Sequence, residues 1–231
     1  LDIKGALSAP QINGELTLDS TYLVSIPYGM NLRFTTEPVR IVGSNLHFDK
    51  FSLYAHNNNP LTISGDINFA NLDNILVNLT MLANDYQIIN AKQTRHSLAY
   101  GKAFVNFGGY IRGNLENMKM RGRLDVLGKT DLTYILKDSP LNTDDQLKEL
   151  VTFTDFRDTT AVANVNRPPV SGLDMLLMMN IEKGARVLCE LNADHSNYVD
   201  LEGGGELRMT YNTVDDLQLF GRYTVNNGEM K

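Results

Sequence analysis

This 231-residue sequence has a single cysteine, Cys189, and no tryptophan. One cysteine excludes an internal disulfide and a multi-cysteine metal cage. The absence of tryptophan, with no paired aromatic girdles flanking the strands, argues against a membrane-inserted barrel. The longest unbroken apolar run, Met175 to Met179, is far short of the ~20 residues that cross a bilayer as a helix. Positive charge is also scarce. Lys and Arg number 21 against 27 Asp and Glu, for a net charge of -6 and an isoelectric point near 5.2. With no Lys/Arg cluster to compensate, the chain lacks the attraction that nucleic-acid binding needs, so nucleic acid is excluded as a partner.

Catalytic signatures are missing as well. His47, His56, His96 and His195 are scattered, with no pair at the spacing that puts two ligands on one helical face. No serine sits in a G-x-S-x-G elbow, and no lysine follows a phosphate-loop glycine pattern. Gly203, Gly204 and Gly205 run into Glu206 and Leu207. They lack the third glycine of a dinucleotide loop and belong to a strand. Asp194, Ser196, Tyr198 and Asp200 alternate acceptors as a calcium loop does, but without its glycine and distal Glu, so they mark a turn. The sequon at Asn78 carries no weight. The reading is a non-enzyme with no metal site and no cofactor.

An apolar fraction of 42% and a charged fraction of 21%, with mean hydropathy -0.22, describe a chain that folds. Its dominant period is two, which sends alternate side chains to opposite faces of a strand. In 61–69, Leu61, Ile63, Ile67 and Phe69 share a face with Gly65. In 105–115, Val105, Phe107, Ile111 and Leu115 share one with Gly109 and Gly113. After a short turn at Glu116 and Asn117, Met118, Met120, Leu124 and Val126 flank Gly122, opposite Lys119, Arg121, Arg123 and Asp125. This predicts a hairpin with a basic outer edge. Leu207, Met209 and Tyr211 alternate around Gly203 and Gly205, and Leu217, Leu219, Gly221, Tyr223 and Val225 pair back through 212–216.

The recurring unit is apolar-x-Gly-x-apolar, with shorter versions around Gly5 and Gly14. Glycine weakens a strand, so its repeated use implies either close backbone approach in a curved, single-layered sheet or a tight sandwich core. Met175 to Met179, which includes Leu177, is apolar on both faces. It reads as a strand buried on both sides or one that touches lipid. The nine methionines suit a surface that accepts varied apolar partners. One short helix is expected near 143–150, where Thr143 and Gln146 form a capping box, between short strands at 130–136 and 151–156. The Asn-rich run 56–60 reads as a plain turn or exposed loop. Arg167-Pro168-Pro169 is the best breaker.

The order and spacing of several of these runs resemble the C-terminal region of the TamB family. The relevant runs are 181–191, LEGGGELRMTY from Leu201 to Tyr211, LFGRYTV from Leu219 to Val225 followed by Asn227 and Gly228, and upstream LTYIL from Leu132 to Leu136 with 138–141 and 151–153. The resemblance implies a curved, mostly single-layered antiparallel sheet, a half-pipe with an apolar interior groove, in a periplasmic protein that bridges the envelope of double-membraned bacteria. It also implies an N-terminal inner-membrane anchor. Since the sequence begins at Leu1 without one, we read it as a fragment, residues 1–231 belonging to one elongated β-groove domain with a soft break near 157–170.

The implied partners are phospholipids or other acyl-chain ligands, an outer-membrane barrel of the Omp85/TamA type, and unfolded outer-membrane proteins. The expected groove residues are Ile63, Ile67, Phe69, Val105, Phe107, Ile111, Leu115, Met118, Met120, Leu124, Leu177, Met179, Leu207, Met209, Leu219 and Tyr223. Two alternatives stand beside a lipid conduit: a groove that holds unfolded outer-membrane strands by edge pairing, and a closed sandwich serving as an adhesin or structural module.

Overall fold

A computed structural model describes residues 1–6, 9–18, 21–136, 172–192, 196–213 and 216–231. The alternating runs become strands: β1 (Asp2–Ala6), β2 (Ala9–Leu16), β3 (Tyr22–Ser25), β4 (Met30–Phe34), β5 (Val39–Val42), β6 (Asn45–Tyr54), β7 (Pro60–Asn68), β8 (Leu76–Ala91), β9 (Ala99–Asn114), β10 (Asn117–Val126), β11 (Asp131–Ile135), β12 (Gly172–Glu190), β13 (Tyr198–Asn212) and β14 (Asp216–Met230). They form a single 14-stranded sheet in the order β1-β2-β5-β6-β7-β8-β9-β10-β12-β13-β14, which does not close into a barrel. No helix occurs among the described residues. The helix expected at 143–150, the strand at 151–156 and the soft break near 157–170 all lie outside them.

The pairings are antiparallel, as expected, except that β12 runs parallel to two neighbours, so the sheet is mixed. β12 runs parallel to β10 and to β11 at one constant register, from Asn117 opposite Gly172 to Ile135 opposite Glu190. β10 and β11 therefore act as one long strand interrupted at 127–130.

The glycine question is answered at Gly65 and Gly113. Their φ angles are 125° and 131°, where side chains other than glycine are strained. A Cβ at either position would strike a carbonyl oxygen of the adjacent strand, that of Asn78 or Asn117. Backbone conformation and close approach, rather than small size in a sandwich core, select glycine there.

A line of irregularities crosses the sheet at nearly one height. The register shifts between Ala83 and Tyr86 in β8, at 127–130, between Ile181 and Ala185 in β12, and at Asn226 in β14. Bulges bend the strand that carries them, and aligned bulges bend a sheet along a line. Polar groups brace the line. The Asp85 amide donates to Asn106 Oδ1 (2.7 Å), and its carbonyl accepts from Asn57 Nδ2 (2.7 Å) and Asn59 Nδ2 (2.9 Å). The Gly128 amide donates to Glu182 Oε2 at 2.6 Å. Lys129 pairs with Asp85 and lies 4.3 Å from the centre of the Phe104 ring. The Asn-rich run is thus a clamp on β8 rather than a plain loop.

The tightest packing lies at the N-terminal end. β4 and β5 pair with different segments of the same edge of β6. This fork brings Leu32, Phe34 and Val39 round onto Phe51 and Leu53. Phe51 is 5% exposed, with Phe48 packed edge-on at 5.6 Å and Phe34 tilted at 6.1 Å.

Candidate functional site

Residues directly opposite in a sheet point to the same side, so the pairing register sorts every expected groove residue. One cross-sheet row runs Phe51, Ile63, Met81, Gly109, Gly122, Leu177, Met209, Leu219. The next carries Phe107, Leu124, Met179 and Leu207. On the other side come Ile111 beside Met120, then Ile67 in the row of Met118. At the bulge line, Val105 and Tyr223 lie in the row of Tyr86, Val126, Ile181 and Gly205. Phe69 and Leu115 follow the ends of β7 and β9, at the lip of the sheet. Fourteen of the sixteen therefore share one face of one sheet.

Among the described residues no second sheet covers this face. Most of the sixteen are half-buried; Leu177 is buried, and Leu115 and Leu219 are exposed. From β6 to β14 the face crosses eight strands, roughly 34 Å at the usual strand spacing. An acyl chain reaches about half of the ~30 Å hydrocarbon core of a bilayer, so the face is long enough for more than one chain end to end. Six of the nine methionines, Met81, Met118, Met120, Met175, Met179 and Met209, lie on it.

The opposite face is polar. Arg121 pairs with Asp174 at 2.7 Å and Arg123 with Asp125 at 2.9 Å. Arg186 Nε donates to Asp200 Oδ1 at 2.9 Å, and that bond holds the Asp200 carboxyl below its usual range. Met178 points to this side and is 54% exposed. β12 is therefore not buried on both faces, a correction to one of the two readings of Met175 to Met179.

Reactive groups are muted. Burial, with Glu190 a lesser cause, pushes the Cys189 thiol up, which makes it a poor nucleophile near neutral pH. Burial also raises Tyr86 to about 12. The Tyr86 and Tyr223 hydroxyls, at the two ends of one row, are buried without hydrogen-bond partners among the described residues. Among those residues no three His, Cys, Asp or Glu side chains converge as metal ligands, and no helix is long and apolar enough to cross a membrane. The calcium-like run from Asp194 to Asp200 falls partly outside the description.

Sequence reasoning missed β8. Val77, Leu79, Met81 and Ala83 alternate along it and lie on the apolar face. Leu76 and Leu82, exposed on the other face, blur the period there.

Comparison with known proteins agrees with this architecture. Neither curated proteins nor solved structures give a match to the chain, but the sequence model of the TamB C-terminal domain matches residues 49–231. Matched over well more than half its length, the chain belongs to the TamB family of periplasmic cell-envelope proteins, a family of transport and assembly rather than of catalysis.

Proposed function

We propose that the apolar face is a groove that binds phospholipid acyl chains and conducts them between the inner and outer membranes. The observation that carries this reading is the continuous apolar face across eight strands with no covering sheet among the described residues. Burying a methylene is worth ~0.8 kcal/mol. A dozen methylenes therefore supply about 10 kcal/mol before the loss of chain and orientational freedom. Methionine's flexible side chains let one surface accept chains of different length and unsaturation. Bound chains slide because contacts exchanged between neighbouring rows are alike. In this reading the protein is held to the inner membrane by an N-terminal anchor, and an outer-membrane barrel of the Omp85/TamA type receives its other end, linking the groove to outer-membrane protein assembly.

The test is lipid mass spectrometry on protein purified without detergent. Co-purifying phospholipid, displaced by a fluorescent fatty acid, is the expected result. No lipid at any stoichiometry, with hydrophobic-dye binding no greater than an ordinary globular control, would sink the reading and favour a closed sandwich.

A second reading rests on β14. Among the described residues its outer edge pairs with no strand, and Leu217, Phe220 and Val225 on it are exposed. An unfolded outer-membrane strand could add there through backbone hydrogen bonds. Amide exchange protection along 216–230 on adding such a peptide is the expected signature, and its absence removes this reading.

A further inference from the structure

We propose that a cleft on the polar face of the β9–β10 hairpin, built on Arg112 and Lys119, binds the phosphate of a glycerophospholipid whose acyl chains lie in the groove. The proposal rests on the groove reading above. It begins from an unfavourable pairing. Arg112 and Lys119 stand directly opposite one another on adjacent strands, where like charges repel. Among the described residues neither forms an ion pair. The carboxylate beside Lys119, that of Asp174, is committed to Arg121 at 2.7 Å. Arg121 also donates to the carbonyls of Met120 (2.8 Å) and Asp174 (2.7 Å). Among the described residues the two cations have no ion-pair partner, and an anion between them turns repulsion into attraction.

The cleft is shallow and open to solvent, about 520 Å³, and is lined by Tyr110, Arg112, Asn114, Asn117, Lys119 and Arg121, with Gly113. The Arg112 guanidinium lies 4.5 Å from the centre of the Tyr110 ring, which holds its fork in place. The Asn117 amide donates to Asn114 Oδ1 at 2.8 Å, fixing the turn beside it.

The source of the phosphate is argued from the lip. Leu115, in the turn that follows β9, and Leu76, on the polar side, are 50% and 48% exposed. They are tied together, since Leu76 pairs with Asn114 and the Leu115 amide donates to the Ile75 carbonyl at 3.2 Å. An apolar edge thus connects the groove to the cleft. Arg112 is three residues from Leu115, about 10 Å along the strand, a span that a glycerol phosphate and a long arginine side chain bridge together. A lipid seated this way keeps its chains inside, crosses the leucine edge at its glycerol, and rests its phosphate on the cations.

The experiment titrates dihexanoyl phosphatidylglycerol, the uncharged dihexanoylglycerol and inorganic phosphate into the wild-type chain, the double variant Arg112→Gln with Lys119→Gln, and Lys119→Glu. The expected wild type binds phosphatidylglycerol at least tenfold more tightly than dihexanoylglycerol, with the preference shrinking as salt is added. Inorganic phosphate binds far more weakly than the lipid. The double variant loses the preference while keeping its affinity for dihexanoylglycerol. Lys119→Glu, which puts a carboxylate beside Asp174, loses the preference too. If dihexanoylglycerol binds but phosphatidylglycerol is no tighter, or if either variant keeps the preference, the phosphate site is overturned and the groove stands. If inorganic phosphate binds as tightly as the lipid, the cleft takes a free anion and the lipid assignment is overturned. If neither lipid binds, the groove reading fails, and this proposal with it.

Discussion

The N-terminal core around Phe51 and the C-terminal strands β13 and β14 are written in the same alternating pattern but have different fates. At the first, β4 and β5 fork from one edge of β6, and the chain folds back on its own apolar side. At the second, the strands pair in sequence order and Leu219 stays 55% exposed. A period of two says which side chains share a face. It does not say whether anything covers that face. The difference separates residues that stabilise the fold from residues available to a ligand, although one cross-sheet row holds both Phe51 and Leu219.

The largest effect should come from truncating the covered end. Phe51→Ala removes an aromatic side chain packed against two others and should cost about 3–5 kcal/mol in urea unfolding. Leu219→Ala should stay within about 0.5 kcal/mol of wild type. Equal costs would show that both ends are core and break the contrast.

Next comes Gly65→Ala, which forces a methyl group into a strained conformation against the Asn78 carbonyl. A loss of roughly 1–3 kcal/mol is expected, read as a lower urea midpoint. Unchanged stability would mean that β7 does not depend on its backbone bend.

Charge on the uncovered face should act on binding more than on folding. Leu207→Arg, on the strand next to the edge strand β14, should keep its β-sheet circular dichroism and lose acyl-chain binding about tenfold. Ile111→Asp, on the central strand β9, should give the same loss with a larger drop in melting temperature. Full lipid binding in both variants would show that these rows do not line the functional surface.

The smallest effect concerns pH. The Arg186 hydrogen bond lowers the folded-state pKa of Asp200, so the stability it adds is present above the ordinary carboxylate value. That stability is lost as pH falls through the lower folded value. Because Arg186 is about half exposed, the pair is worth no more than about 0.5 kcal/mol. Asp200→Asn should therefore melt slightly lower than wild type at pH 7 and coincide with it near pH 2. A difference that persists at low pH would assign the effect to packing.

The hairpin of β9 and β10, the return of β13 on β14 and the common side of Ile63, Ile111, Met120 and Leu207 could all be read from alternation and turn residues, because those signals are local. The bulge line could not. Each bulge is a shift in register between two paired strands, and no single strand records it. Asn57 and Asn59 look like loop residues until Asp85 is brought beside them.

By itself the sequence determined an all-β chain with one apolar face per strand and no catalytic constellation, since residue period and residue type are properties of each short stretch. Only the tertiary structure decided that β12 runs parallel to β10, that the N-terminal strands fold over Phe51, and that β8 joins the apolar face. It also decided that Arg112 and Lys119 oppose each other with no ion pair among the described residues. These outcomes depend on which strands pair and at what register. Pairing is settled by the combined burial and hydrogen bonding of residues far apart in the chain.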